Sequence, residues 1–125
     1  MTVHENPEGL TDVGVADLLR LLTLERLGSQ TFIGHSTLLG APRVYGGQLL
    51  AQSLMAMGAT VPGEHHLHSL HGYFIQPGDV RRPLALQVEV LREGRNFSTR
   101  AVKVQQGKRL VFSGAASFHR AEGDY

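Results

Sequence analysis

The chain has 125 residues with 12 basic and 11 acidic side chains, a formal charge of +1, and no cysteine. That length supports one compact domain with a core of its own and not two of ordinary size. The near-neutral balance argues against nucleic acid or an anionic membrane as partner, while the missing cysteines remove disulfides, thiolate catalysis and cysteine-held zinc.

Residues 1–10 are polar and are expected to be disordered, within a single domain spanning 1–125. Glu5, Glu8, Asp12 and Asp17 precede the first basic residue, Arg20, so the start lacks the basic and apolar run of a secretory signal. No stretch approaches the roughly 18 apolar residues of a membrane span. These features lead to the expectation of a cytoplasmic protein.

Thr11 or Asp12 is expected to cap a helix carrying Val15, Leu18, Leu19, Leu22, Leu24 and Leu27, spaced three and four apart, with Gly28 as its stop. A short strand is expected over Thr31 to Ile33, followed by a small-residue segment from Gly34 to Pro42. The stretch RVYGGQLLAQSLMAMG then predicts a central helix over about 46–60. It contains no carboxylate, and its only polar side chains before the end are Gln48, Gln52 and Ser53. A helix apolar on nearly every side has to be enclosed, and in a domain of this size a curved sheet is the enclosing object.

The second half supplies that sheet. A β-rich run over Leu67 to Gln76 ends in the turn sequence Pro77-Gly78-Asp79. Leu84, Leu86, Val88 and Val90 alternate with Ala85, Gln87, Glu89 and Leu91, which predicts a half-buried strand. Glu93-Gly94-Arg95 and Gln106-Gly107-Lys108 read as turns into strands over Asn96 to Gln105 and Arg109 to His119. The fold class is therefore α+β, an antiparallel sheet wrapped around a central apolar helix, with hairpin-linked strands expected to pair with their neighbours.

That order, with GGQ opening the helix, resembles the hotdog fold. More narrowly, VYGGQLLAQSL, HSLHGYFIQPGD, VEVLREGRNFSTRAVKVQQGK and AASFHRAEG, in that order over about residues 18–122, resemble the amino-terminal half of the acyl-CoA thioesterase II family. The resemblance implies a hydrolase of fatty acid metabolism that splits acyl-CoA into a free acid and coenzyme A. It implies no separate cofactor, since coenzyme A is part of the substrate. It also implies pairing, as a homodimer or with a second hotdog unit. Family members usually hold two units in one chain, and their catalytic Asp, Thr and Gln lie in the second. Here the central helix lacks the acid, and the other two counterparts fall near Leu67 and Ala116. The triad does not transfer, which keeps open a noncatalytic acyl-CoA-binding or dimer-completing module. A hydratase of similar fold, using His68 with Glu64, is a third alternative.

Candidate site residues follow from chemistry. Unpaired N–H groups at a helix start, made approachable by Gly46 and Gly47, suit a thioester carbonyl or a phosphate. Equally, paired glycines allow tight packing. Gln48 has an amide to offer a developing oxyanion, with Gln52 one turn on along the same face. Imidazole suits general-base work near neutral pH, which makes His68 the second catalytic candidate. His65, His66, His68 and His71 form a poor metal set, because strand alternation is expected to send His66 and His68 to one face and His65 and His71 to the other. Arg95 is a candidate for coenzyme A phosphates and Tyr73 for the acyl chain, within an aromatic strip of Tyr73, Phe74, Phe97, Phe112 and Phe118 whose simpler role is core.

Overall fold

A computed structural model describes residues 7–36, 43–44 and 46–121. In chain order the elements are α1 (Pro7–Leu22), β1 (Glu25–Arg26), β2 (Thr31–Gly34), β3 (Arg43–Val44), α2 (Gly46–Gly58), β4 (His65–Phe74), β5 (Gly78–Asp79), β6 (Leu84–Glu93), β7 (Phe97–Gln106) and β8 (Arg109–Arg120). Six strands form one antiparallel sheet in the order β1-β2-β6-β7-β8-β4, and β3 pairs with β5 in a separate two-stranded ribbon.

α2 buries a stripe made of Gln48, Leu49, Gln52, Ser53, Ala56 and Met57, recurring three and four residues apart, as a helix laid into a concave sheet requires. The facing sheet positions Leu84, Leu86, Val88, Val102, Val104, Phe112, Ala116 and Phe118 complete one core with it. Alternation on β6 holds over its first half, where Leu84, Leu86 and Val88 point in and Ala85, Gln87 and Glu89 point out, but Val90, expected on the inner side, is exposed beside a register shift between Val90 and Arg92. At Gly72 and Gly114 the sheet makes room for a single ring. A Cβ on Gly72 would lie 2.4 Å from Phe112 Cζ, and one on Gly114 would lie 2.8 Å from Phe112 Cε2.

Several expectations need correction. The first helix starts at Pro7 and ends at Leu22, so residues 7–10 are helical, while residues 1–6 lie outside the described residues. Most of the apolar residues assigned to its face, including Val15, Leu18 and Leu19, are exposed, and Leu21 is the buried one. Periodicity reports a helix there but not its partner, because α2 already fills the concave face. Leu24 and Leu27 belong to the segment after the helix, which forms the unforeseen strand β1. The segment 37–42 lies outside the described residues.

The larger correction concerns topology. β4 does not pair with the next long strand but crosses to the far edge, alongside β8, with Tyr73 opposite Ser113 and Phe74 opposite Phe112. The Pro77-Gly78-Asp79 turn is part of that crossover, where β5 meets β3. The two hairpin turns are as expected, and Gly107 takes a positive φ of 61°, a conformation glycine adopts at no steric cost. One sheet edge thus ends in the two-residue β1 and the other in the ten-residue β4. A long open edge invites pairing, and a short one does not.

Candidate functional site

The first turn of α2 is held by a chain of amide hydrogen bonds. Gln52, fully buried, donates from Nε2 to the carbonyls of Leu21 (2.9 Å) and His35 (3.1 Å). Gln48 donates from its own Nε2 to Ser36 Oγ (2.9 Å) and, more weakly, to Gln52 Oε1 (3.4 Å). The segment after β2 is thereby tied to the helix start. Gln52 can join this chain in the middle because an amide is donor and acceptor at once. Sequence reasoning places Gln52 on the face of Gln48 but misses that it ties α1, α2 and the segment at His35 together; its partners are 31 and 17 residues away.

Gly47 is exposed at this end of α2 and Gly46 half-buried. Gly46 is in fact covered: a Cβ there would lie 3.0 Å from the Phe74 ring, so this glycine allows β4 to pack on the helix start. Gly47 is therefore the approachable one. Tyr73, 71% exposed, lies beside Phe74 at the same end of β4.

His68 and Arg95 lie elsewhere. From His68 to Phe74 the strand rises about 20 Å at roughly 3.3 Å per residue, so His68 sits toward the opposite end of α2 from Gln48. The structure does not bring these two catalytic candidates together within one chain. The His68 ring is exposed and packs edge-on against His119, with centroids 4.9 Å apart. Among the described residues no hydrogen bond or ion pair joins it to Glu64, the partner a hydratase would need. Arg95 lies in the β6–β7 turn, and its carbonyl meets His65 Nε2 at 3.1 Å while His65 Nδ1 meets Ser98 Oγ at 2.8 Å. His65 is thus a buried brace between β4 and that turn.

The histidine pattern also differs from strand alternation. The register of β4 against β8 shifts between Leu67 and Ser69, a bulge that resets the faces. His66 opposes His119 and His71 opposes Ala115, two β8 positions on one face, so His71 joins His66 and only His65 points inward. Among the described residues no group of three or more His, Asp or Glu side chains is placed to share a metal ion. The aromatic strip divides: Phe112 and Phe118 are core, whereas Tyr73, Phe74 and Phe97 are exposed.

A second polar cluster borders the α2 start. Asp79 receives the Arg81 guanidinium (Nε 3.2 Å, Nη2 3.3 Å) and the Arg81 backbone N–H (2.9 Å). Those bonds, the guanidinium first, hold the Asp79 carboxyl below the usual carboxylate range. No Asp or Glu lies on α2 itself.

A family model described as the acyl-CoA thioesterase N-terminal domain matches residues 35–119. The chain belongs to that family. It is 44% identical over 106 residues to acyl-CoA thioesterase 2 of Haemophilus influenzae, covering 85% of this chain and 37% of that protein. It is 40% identical to human acyl-coenzyme A thioesterase 8, covering 82% of this chain and 32% of that one. Among solved structures, a tesB protein of Mycobacterium avium subs paratuberculosis superimposes with a TM-score of 0.80 at 36% identity, over 88% of this chain and 44% of its own. An acyl-CoA thioesterase II from Mycobacterium marinum gives 0.77 at 34% identity, over 86% and 40%. The thioesterase chains thus share the hotdog fold seen here, and this chain spans less than half the length of each. Among the described residues no helix is long and apolar enough to cross a membrane.

Proposed function

We propose that residues 1–125 form a single acyl-CoA-binding hotdog unit, equivalent to the amino-terminal half of an acyl-CoA thioesterase, whose hydrolytic site is completed by a second unit. The observation that carries this reading is the family match across residues 35–119, which takes in both the α2 start and the whole of β4. The second unit, a further hotdog unit carrying the acid that α2 of this chain lacks, pairs along β4, and in its absence another copy of this chain takes that edge. That edge has ten residues and exposes Leu67, Tyr73, Phe74 and, just beyond, Ile75.

In this reading the thioester carbonyl approaches the exposed N–H groups at Gly47 and Gln48, which favour the negative charge that grows on oxygen. Water, activated by a carboxylate of the second unit, adds to the carbonyl carbon. The C–S bond then breaks, and the departing sulfur takes a proton to leave coenzyme A and a free acid. Gln48 positions Ser36 and the helix start, Tyr73 flanks the acyl chain, and His68 and Arg95 belong to the far end of the pairing edge. The absence of an acid on α2 supports a unit that binds substrate without attacking it. Coenzyme A enters as substrate and no other cofactor is invoked; the cytoplasm, where acyl-CoA is made and used, is the proposed location.

Binding of a medium-chain acyl-CoA to Gln48→Ala and His68→Ala variants tests the site. Gln48→Ala is expected to weaken binding about tenfold, and His68→Ala less than twofold, because only the first removes a hydrogen bond that orders the helix start. The reverse order, or no change with Gln48→Ala, would refute the placement.

A further inference from the structure

We propose that the pocket lined by His35, Ser36, Val80, Arg81, Arg82 and Pro83 receives phosphate groups of the acyl-CoA ligand, an inference that rests on the reading above. The pocket holds about 280 Å³. Sites for drug-sized ligands start at roughly that volume, so it suits a phosphate or pyrophosphate group and not a whole nucleotide.

Its electrostatics differ from those of the chain as a whole. The formal charge of the protein is only +1. Yet Arg81 and Arg82 stand in one loop, which the β7–β8 turn at Gly107 and the first residue of β8, Arg109, approach. A Cβ on Gly107 would lie 3.3 Å from Arg82 Nη2, and Arg109 Nη1 reaches the Pro77 carbonyl at 3.4 Å. Arg81 and Arg82 thus both act on the one acid of the loop, Asp79, and Arg109 stands at the start of that loop. Arg81 shares its guanidinium with Asp79 but is 80% exposed, so its outer edge stays reachable. The Arg82 guanidinium makes no hydrogen bond to any described residue. Two adjacent guanidiniums with N–H groups to spare match phosphate oxygens in geometry and charge.

The loop carrying them is braced from below. Gln106 is buried, donates from Nε2 to the carbonyls of Asp79 (2.8 Å) and Arg82 (3.0 Å), and accepts the Asp79 N–H at Oε1 (2.8 Å). The Arg82 N–H returns to the Asp79 carbonyl at 3.1 Å. A loop pinned in this way loses little freedom on binding, which favours affinity. The pocket also borders the start of α2, because Ser36 lines it and accepts the hydrogen bond from Gln48 on the first turn of that helix. One ligand with an anionic head and a thioester end spans both places. The arginine pair thus has a function beyond surface solubility.

Calorimetric titration of the 125-residue chain with an acyl-CoA and with the matching acyl-pantetheine, which lacks the nucleotide phosphates, tests the assignment. Removing one charge-assisted hydrogen bond weakens binding about tenfold. Arg82→Ala is expected to weaken acyl-CoA binding by that factor and Arg81→Ala/Arg82→Ala further, leaving acyl-pantetheine unchanged. Lys103→Ala, on the outer sheet face, serves as the control for net charge. Equal acyl-CoA affinity in the double variant, or an equal weakening with Lys103→Ala, overturns the pocket. Acyl-pantetheine bound as tightly as acyl-CoA by the unaltered chain also overturns it but leaves the thioester reading standing, whereas failure to bind either ligand overturns both.

Discussion

Arg100 is 1% exposed and carries a charge into the sheet, so its removal is a severe single change. Its N–H groups are widely engaged. Nε donates to Thr60 Oγ1 at 2.8 Å, Nη1 to the carbonyls of Arg92 (3.1 Å) and Thr99 (3.3 Å), and Nη2 to the Thr60 carbonyl at 2.8 Å and to Glu93. The side chain clamps the segment after α2 onto β6 and β7. Replacing it by Met removes the charge and leaves those carbonyls without their donor. The Glu93 side chain, 48% exposed, returns to water at small cost, and the Thr60 hydroxyl keeps its bond to the Met57 carbonyl. The destabilisation is then dominated by unsatisfied acceptors at about 1–3 kcal/mol each, shared and partly relieved, for a total of about 3 kcal/mol. In a domain of this size that lowers Tm by roughly 10–15 °C. Urea and thermal unfolding of Arg100→Met, Arg100→Lys and Glu93→Gln measure it. Lysine is expected to recover less than half of the stability, because a point charge does not span Thr60, Glu93 and Arg92 as a guanidinium does. Glu93→Gln is expected to cost less than about 1 kcal/mol. If Arg100→Met costs less than about 1 kcal/mol, or if lysine restores full stability, the guanidinium is not the clamp described.

Gly72→Ala drives a methyl group against the Phe112 ring and the Ser113 carbonyl, 2.4 Å and 2.9 Å from the ideal Cβ position, and is expected to cost about 2–3 kcal/mol in urea unfolding. Gly28→Ala, with open space around it, serves as the control and changes stability by less than about 0.5 kcal/mol. The pairing proposed along β4 predicts that Leu67→Asp/Tyr73→Asp halves the mass in light scattering without unfolding the chain; an unchanged mass contradicts it. Asp79 has a lowered folded-state pKa, so its bonds to Arg81 contribute stability above the ordinary carboxylate pKa and lose it as pH falls through the folded value. The protection factor of the Arg81 amide, its exchange rate taken relative to the unprotected amide at the same pH, should therefore fall below about pH 4 in the parent chain, and Asp79→Asn should remove that fall.

The parts of the fold set by short-range pattern are legible in the sequence. The buried stripe of α2 and the alternation over the first half of β6 are periodicities, and Gly107 announces its turn because few other residues adopt a positive φ there. What escapes is long-range. Nothing local to HSLHGYF says that it pairs with β8, and the bulge at Leu67–Ser69 that moves His71 to the outer face is a property of the pair and not of either strand. The site is legible in the same measure. GGQ locates the α2 start, but the local signal at Gly46 does not distinguish a ligand's approach from that of Phe74. Pairing His68 with Gln48 fails because chemistry alone matches two suitable side chains, with no means of measuring the length of β4 between them. Gln106, which braces the arginine loop from 27 and 24 residues away, carries no sequence signal at all.

If this unit binds acyl-CoA and leaves the attack on it to a second unit, binding and hydrolysis must separate in the isolated chain. Equilibrium dialysis of a medium-chain acyl-CoA against the 125-residue chain, with free thiol assayed in both compartments, reads the two together. Acyl-CoA accumulating on the protein side, with free thiol no higher than in a protein-free control, is the expected result. Equal acyl-CoA in both compartments would show that the unit does not bind, and thiol rising in proportion to the amount of chain would show that it attacks the thioester by itself.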